Sequence, residues 1–158
     1  MALEILTVGA EVLYAVETVA GQRPSTGYKV ISSVNQAPEF SMDVETIDVS
    51  NISDKITRYA EGRQDPGGDK SFTLGHTDAV IDEWEELVAA AEEGLKAGKQ
   101  TWFEYRYPAP ATKAFYFIGK PQALGNGGIE GNNASTIPAH VVCSGGGVWE
   151  TASTGDAN

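Results

Sequence analysis

ETIDVSNISDKITRYAEGRQDPGGDKSF, residues 45–72, decides how the chain is read. A short extended run, IDVS, enters it, and a second strand-like run, Lys70 to His76, leaves it. Neighbouring strands are usually joined by about two to five residues, and loops beyond about 12–15 tend to be functional or disordered. Residues 51–70 are therefore read as a long loop that needs a reason.

Outward from it, most segments have the period of strands. Val12, Tyr14 and Val16 alternate with Ala15 and Glu17, predicting a strand from about residue 12 to 20. Tyr28, Val30, Ser32 and Val34 predict another. Phe40, Met42 and Val44 share one face, then the apolar phase slips to Ile47 and Val49, the mark of a bulge or a break. Phe72 and Leu74 point inward from the strand after the loop. Phe103, Tyr105 and Tyr107 alternate with Trp102, Glu104 and Arg106. AFYFIG, residues 114–119, is apolar on both faces and should be covered on both. Ile137, Ala139, Val141 and Cys143 begin a last long strand that reaches towards Trp149.

One segment departs from this period. In DAVIDEWEELVAAAEEGLKAG, residues 78–98, Val80, Ile81, Trp84, Leu87, Val88, Ala91 and Leu95 form one helical stripe. Asp78 is the expected N-cap and Gly98 the residue just past the end. The order is strands, one helix, then three strands, without βαβ alternation. That predicts a mainly β fold, a sandwich or barrel-like pair of sheets with one flanking helix. Residues 1–150 read as one such domain, with 1–11 left open as an N-terminal arm. TASTGDAN, residues 151–158, reads as a flexible polar tail.

Composition narrows the function. The chain has a formal net charge of -11, which disfavours binding to phosphate. One cysteine, Cys143, allows no internal disulfide and fits a reducing compartment. The opening MALEILTVGAEVLYAVE has no basic region and carries Glu4 and Glu11, so it is not read as a signal peptide. No apolar run approaches the roughly 18 residues a membrane span needs, so no membrane partner is expected. The sequons at Asn51 and Asn133 carry no weight without a secretory route.

The search for chemistry yields little. GNGGIEG, residues 125–131, puts Glu130 in the third glycine's place of a phosphate loop and no helix follows, so it reads as a hairpin loop. His140 and Cys143 lie three apart on a strand and face opposite ways, so they make no nucleophilic pair. One cysteine and two distant histidines, His76 and His140, are a poor zinc set. QDPGGD does not have calcium-loop spacing. Asp78, Asp82, Glu83, Glu85, Glu86, Glu92 and Glu93 read as the solvated face of the helix rather than acid/base pairs. The chain is read as non-enzymatic, without metal or cofactor.

The joint order of the pieces resembles the major tail tube proteins of long-tailed bacteriophages, from about Tyr28 to Trp149. The opening stretch carries most of it: E-x-IDVS at Glu45 to Ser50, a polar loop ending in Tyr59, Ala60, Glu61 and Gly62, then SFTLG. The acidic helix and WFEYRYP follow in the family's order. Members often carry Pro where this chain has Ala60.

The resemblance implies a structural protein of the virion, assembled in the host cytoplasm. Hexameric rings would stack into a hollow tube that conducts genomic DNA during ejection. Its partners would be other copies, a tape-measure protein, a tail terminator, and distal tail or baseplate proteins. Double-stranded DNA would pass without specific binding. Residues 51–70 would reach a neighbouring ring or subunit, their charges Asp54, Lys55, Arg58, Glu61, Arg63, Asp65 and Asp69, together with Tyr59, setting register.

An acidic lumen would keep the duplex off the wall over about 10 Å at 0.1 M salt. The helix and its end, residues 78–99, carry a net -5 and the rest of the chain -6. With the helix outside the inner sheet, lumen charge must come from strands, and the period makes Glu17, Glu45, Asp48 and Glu104 the candidates. A rival within the fold is the inner tube of a contractile tail or secretion system. A rival of another class is a monomeric carbohydrate-binding β-sandwich using Trp102, Tyr105 and Tyr107.

Overall fold

Val12 with Tyr14, Phe72 with Leu74 and Ile137 with Ala139 each require one buried strand face, and a curled sheet provides it for all of them. The computed structural model describes residues 4–153. The strands are β1 (Glu11–Val16), β2 (Lys29–Val30), β3 (Val34–Gln36), β4 (Asp43–Asp48), β5 (Tyr59–Asp65) and β6 (Asp69–Gly75). The helix α1 (Asp78–Lys96) follows, then β7 (Thr101–Arg106), β8 (Lys113–Pro121) and β9 (Thr136–Thr151). Seven strands form one antiparallel sheet in the order β2-β1-β7-β8-β9-β6-β3, curled into a half-barrel. β4 and β5 form a separate two-stranded sheet.

Two features make the curl. β9 runs 16 residues, and its register with β8 shifts between Tyr116 and Phe117 and again between Ile118 and Gly119. Each bulge bends the strand and increases its twist. Gly146 makes this possible: its φ is +86°, and a Cβ there would lie 2.7 Å from the Phe117 Cα. The two edge strands are also consecutive in sequence, so the chain itself crosses the open seam. Ile31 N–H donates to the Val12 carbonyl on one side, and Gly75 N–H donates to the Ser33 carbonyl on the other, both at 2.8 Å. The strand expected from Tyr28 to Val34 is therefore two short pieces, broken where Ser33 turns left-handed with φ 56°.

The inner face of the sheet holds Val12, Tyr14, Phe72, Leu74, Phe103, Phe117, Ala139 and Val141, closed by Val80, Trp84 and Leu87 of α1. The outer face of β1 and β8 carries a second cluster of Leu13, Ala15, Tyr28, Ala114 and Tyr116. The Arg23 guanidinium caps it, 4.2 Å from the Tyr116 ring centroid. AFYFIG is thus covered on both sides, as its composition requires.

α1 starts one residue earlier in its capping than the sequence suggests. Thr77, not Asp78, is the N-cap: its backbone is extended and its Oγ1 accepts from Val80 N–H at 3.2 Å. Asp78 occupies the first turn, where the helix dipole favours an acid. Gly98, with φ +76°, follows the C-cap Ala97. Leu95, placed on the apolar stripe by its spacing, is exposed instead.

Residues 51–70 are not a loop throughout. β5 occupies Tyr59–Asp65 and pairs with β4, leaving a tip at 49–58 and a short turn before β6. YAEGRQD hides from a search for alternating hydrophobics because it buries neither face. The phase slip read at Val44–Ile47 does appear as a register shift between Val44 and Thr46, with the extra residue on β5.

At the chain's end, β9 continues to Thr151, and Ala152 N–H donates to the Thr112 carbonyl at 3.0 Å. The flexible tail expected over 151–158 falls, from residue 154 on, outside the described residues.

Candidate assembly surface

The β4–β5 hairpin stands apart from the core, and its order comes from polar groups near its tip. Asp48 Oδ1 accepts from Ser50 N–H at 2.9 Å, holding the Asp48 carboxyl below its usual range. Ser50 Oγ accepts from Arg58 N–H at 2.6 Å, and Val49 N–H donates to the Arg58 carbonyl at 2.9 Å. Asp54 closes the tip: its Oδ2 accepts from Asn51 N–H at 2.7 Å and from Arg58 Nε at 3.1 Å. Such an exposed pair sets geometry more than stability.

The rest of the hairpin is uncovered. Along β4 every residue is exposed, and β5 is exposed save for a half-buried Gly62. Ile52 and Ile56 at the tip are 108% and 79% exposed, and Ile47, Val49 and Tyr59 are exposed as well. An isolated two-stranded hairpin is marginal in water. Apolar side chains on both of its faces stand in solvent, an exposed patch of the kind found at interaction sites.

The root, by contrast, is pinned. Phe40 packs on Phe115 and Phe117, with ring centroids 5.0 and 5.2 Å apart. Lys70 is buried, and its Nζ donates to the Glu39 carbonyl at 3.2 Å and lies 4.8 Å from the Phe40 ring centroid. Cys143 N–H donates to the Gly68 carbonyl at 2.6 Å.

The eight residues expected at an inter-subunit contact separate along this element. Asp54, Lys55 and Arg58 belong to the tip. Tyr59, Glu61, Arg63 and Asp65 lie on β5, where Asp65 Oδ1 accepts from Gly67 N–H at 2.8 Å. Asp69 begins β6 and pairs with His140 Nδ1 at 3.0 Å.

The four candidate lumen acids also separate, and two are corrected. Glu104 is 0% exposed. It accepts from Tyr116 Oη at 3.0 Å, Ser153 Oγ at 2.7 Å and Ser153 N–H at 3.1 Å, with Arg106 at 3.5 Å. Glu17 is 4% exposed. It accepts from Gln100 N–H at 2.8 Å, Trp102 Nε1 at 2.9 Å and Gly21 N–H at 3.2 Å. Burial pushes the Glu17 carboxyl up, but these hydrogen bonds to its charged form outweigh it and hold it below the usual range. Both acids tie distant segments of the chain together and lie inside it. The alternation that placed them on a polar face hid the fact that the outer face is covered too.

Glu45 and Asp48 remain exposed, on opposite faces of β4. Asp48 is committed to the tip. Glu45 shares its face with Asp43, which stands directly opposite Asp65. Like charges facing each other across strands disfavour pairing, and Arg63, in the bulge opposite Glu45, offsets part of the charge of this face.

Other chemistry is sparse. His76 Nδ1 and Ser135 Oγ lie 2.7 Å apart, tying the loop before β9 to the end of β6. Neither residue's spacing signalled this contact. Burial pushes the Cys143 thiol up. Among the described residues, no group of three or more His, Cys, Asp or Glu could hold a metal ion, and no helix is long and apolar enough to cross a membrane. The aromatics considered for sugar stacking do not share a platform. Trp102 packs against the outer cluster and donates to Glu17, whereas Tyr105 packs against the inner one and donates to the Pro38 carbonyl at 3.1 Å.

No family model matches the chain, and no curated protein matches it. Among solved structures it is similar to a chain in the cryo-EM structure of the anti-feeding prophage (AFP) baseplate, 6-fold symmetrised. The TM-score is 0.61 at 7% identity, and the likeness covers 97% of this chain and 98% of that one. At this identity the likeness is one of fold alone.

Proposed function

We propose that the chain is a structural protein of a phage tail or tail-like particle, and that its copies assemble into hexameric rings stacked as a hollow tube. The observation that carries the reading is the β4–β5 hairpin, ordered at its root and tip yet exposed on both faces. Such an element is completed by a second chain, as strands joined edge to edge between subunits would complete it. The fold shared over 97% of the chain with a component of a 6-fold symmetrised baseplate supports that setting. Copies joined head to tail close into a ring or continue as a filament, according to the rotation between them.

In this reading the role is mechanical rather than catalytic. Tape-measure, terminator and distal tail proteins are the natural partners of such a tube. The hairpin face bearing Asp43, Glu45 and Asp65 supplies lumen charge, repelling a passing duplex instead of holding it. A second reading, favoured by the kind of assembly the structural neighbour belongs to, places the chain in a baseplate ring.

Gold-labelled antibody against the chain, applied to particles, separates the two. Labelling along the shaft is the outcome expected for a tube, and labelling confined to one end would assign the chain to the baseplate. Particles that carry no label anywhere would remove both.

A further inference from the structure

A second apolar surface lies outside the core, near the end of β9. Trp149 is 56% exposed. Its indole stacks on Tyr107 with ring centroids 6.2 Å apart, and meets Phe115 edge-on at 5.1 Å. Ile5, Pro110 and Lys113 complete a cleft of about 460 Å³ around it. A large aromatic held by its neighbours at the wall of an apolar recess has the make-up of an interface anchor. We propose that this cleft receives the hairpin tip of a second copy of the chain, with Ile52 and Ile56 seated against Trp149. The inference rests on the self-assembly reading above and adds the receiving face.

The occupant follows from chemistry and reach. Ile52 and Ile56 are the most exposed apolar side chains of the tip, and nothing in their own chain covers them. Charges of both signs flank each surface: Asp54 and Lys55 at the tip, Lys113 and the exposed Glu150 at the cleft. The cleft adjoins the hairpin's own root, because Phe40 touches Phe115 and Phe115 touches Trp149. β4 is six residues long, so at ~3.3 Å per residue it carries the tip ~20 Å from that root. A tip therefore reaches the cleft of another copy and not its own. Protrusion and recess are different surfaces, so the contact is heterologous, closing into a ring or continuing as a filament according to the rotation.

A cysteine pair tests it. Ile52→Cys with Ala111→Cys, mildly oxidised at an assembling concentration, should give a ladder of disulfide-linked oligomers. Neither single variant should pass a dimer, and the buried native Cys143 should stay silent. Trp149→Ala should keep its circular dichroism and raise the concentration needed for assembly roughly thirtyfold, as loss of an anchor does. Assembly without a ladder, or Trp149→Ala assembling at the wild-type concentration, overturns the proposal. If Ile52→Asp with Ile56→Asp blocks assembly in that case, self-assembly stands and only the receiving face is wrong. A wild-type chain that stays single at every concentration removes both.

Discussion

Glu17 and Glu104 are buried inside the chain and bear on its own stability. Glu17 joins the strand after which it follows to Gln100 and Trp102, 83 and 85 residues away in sequence. Glu17→Gln should cost roughly 1–3 kcal/mol at neutral pH, because the acceptor loses its charge and one of its two oxygens becomes an NH2 that cannot accept. The sign of its pH dependence follows from the depressed carboxyl. The stabilisation is present above the ordinary value of 4.5 and is lost as pH falls through the lower folded value. Urea unfolding at pH 7 and pH 3 should show the gap between wild type and Glu17→Gln narrowing with acid; a constant gap would refute the assignment. Gly146 is the other decisive residue. Gly146→Val puts a side chain at φ +86° and against the Phe117 backbone, and should lower stability by more than ~1 kcal/mol in the same measurement.

Elements differ in how legible they were. α1 could be read from the 3.6-residue stripe because its buried residues, Val80, Trp84, Leu87 and Ala91, all face one way. The alternation of β6, β7 and the first half of β9 was legible for the same reason. β5 was not, since a strand exposed on both faces leaves no hydrophobic period. β2 and β3 were merged by an alternation that takes no account of the turn at Ser33. Alternation puts Glu17 and Glu104 on a polar face because a polar residue in or beside a strand gives no sign that a distant segment will cover it. What the sequence did show at the candidate surface was an unusually long connection.

Two substitutions separate the roles of helix and hairpin. Thr77→Ala removes the N-cap acceptor and should cost ~1 kcal/mol by thermal or chemical unfolding. Ile52→Asp with Ile56→Asp should leave unfolding within about 0.5 kcal/mol of wild type, as exposed sites do, while abolishing assembly in sedimentation. A loss of protomer stability in that double variant would mean that the tip serves its own chain.

At the scale of the whole molecule, a curled sheet with its inner core closed by a helix leaves a projecting hairpin and an apolar cleft around Trp149 uncovered among the described residues. Charge belongs to this scale as well. The formal net charge is -11, yet Glu17 and Glu104 are buried, and Asp43, Glu45 and Asp65 share one hairpin face with Arg63. If that face lines a conduit, Glu45→Lys should leave particles intact and slow DNA release, most at low salt where screening is weakest. Unchanged release kinetics at low ionic strength would take the acids out of the channel.

Electron microscopy of the purified, concentrated chain tests self-assembly directly. The expected images are six-fold rings or tubes with an open centre, the hairpin of each copy lying against another. Fields of single protomers at every concentration, their hairpins still free, would contradict it.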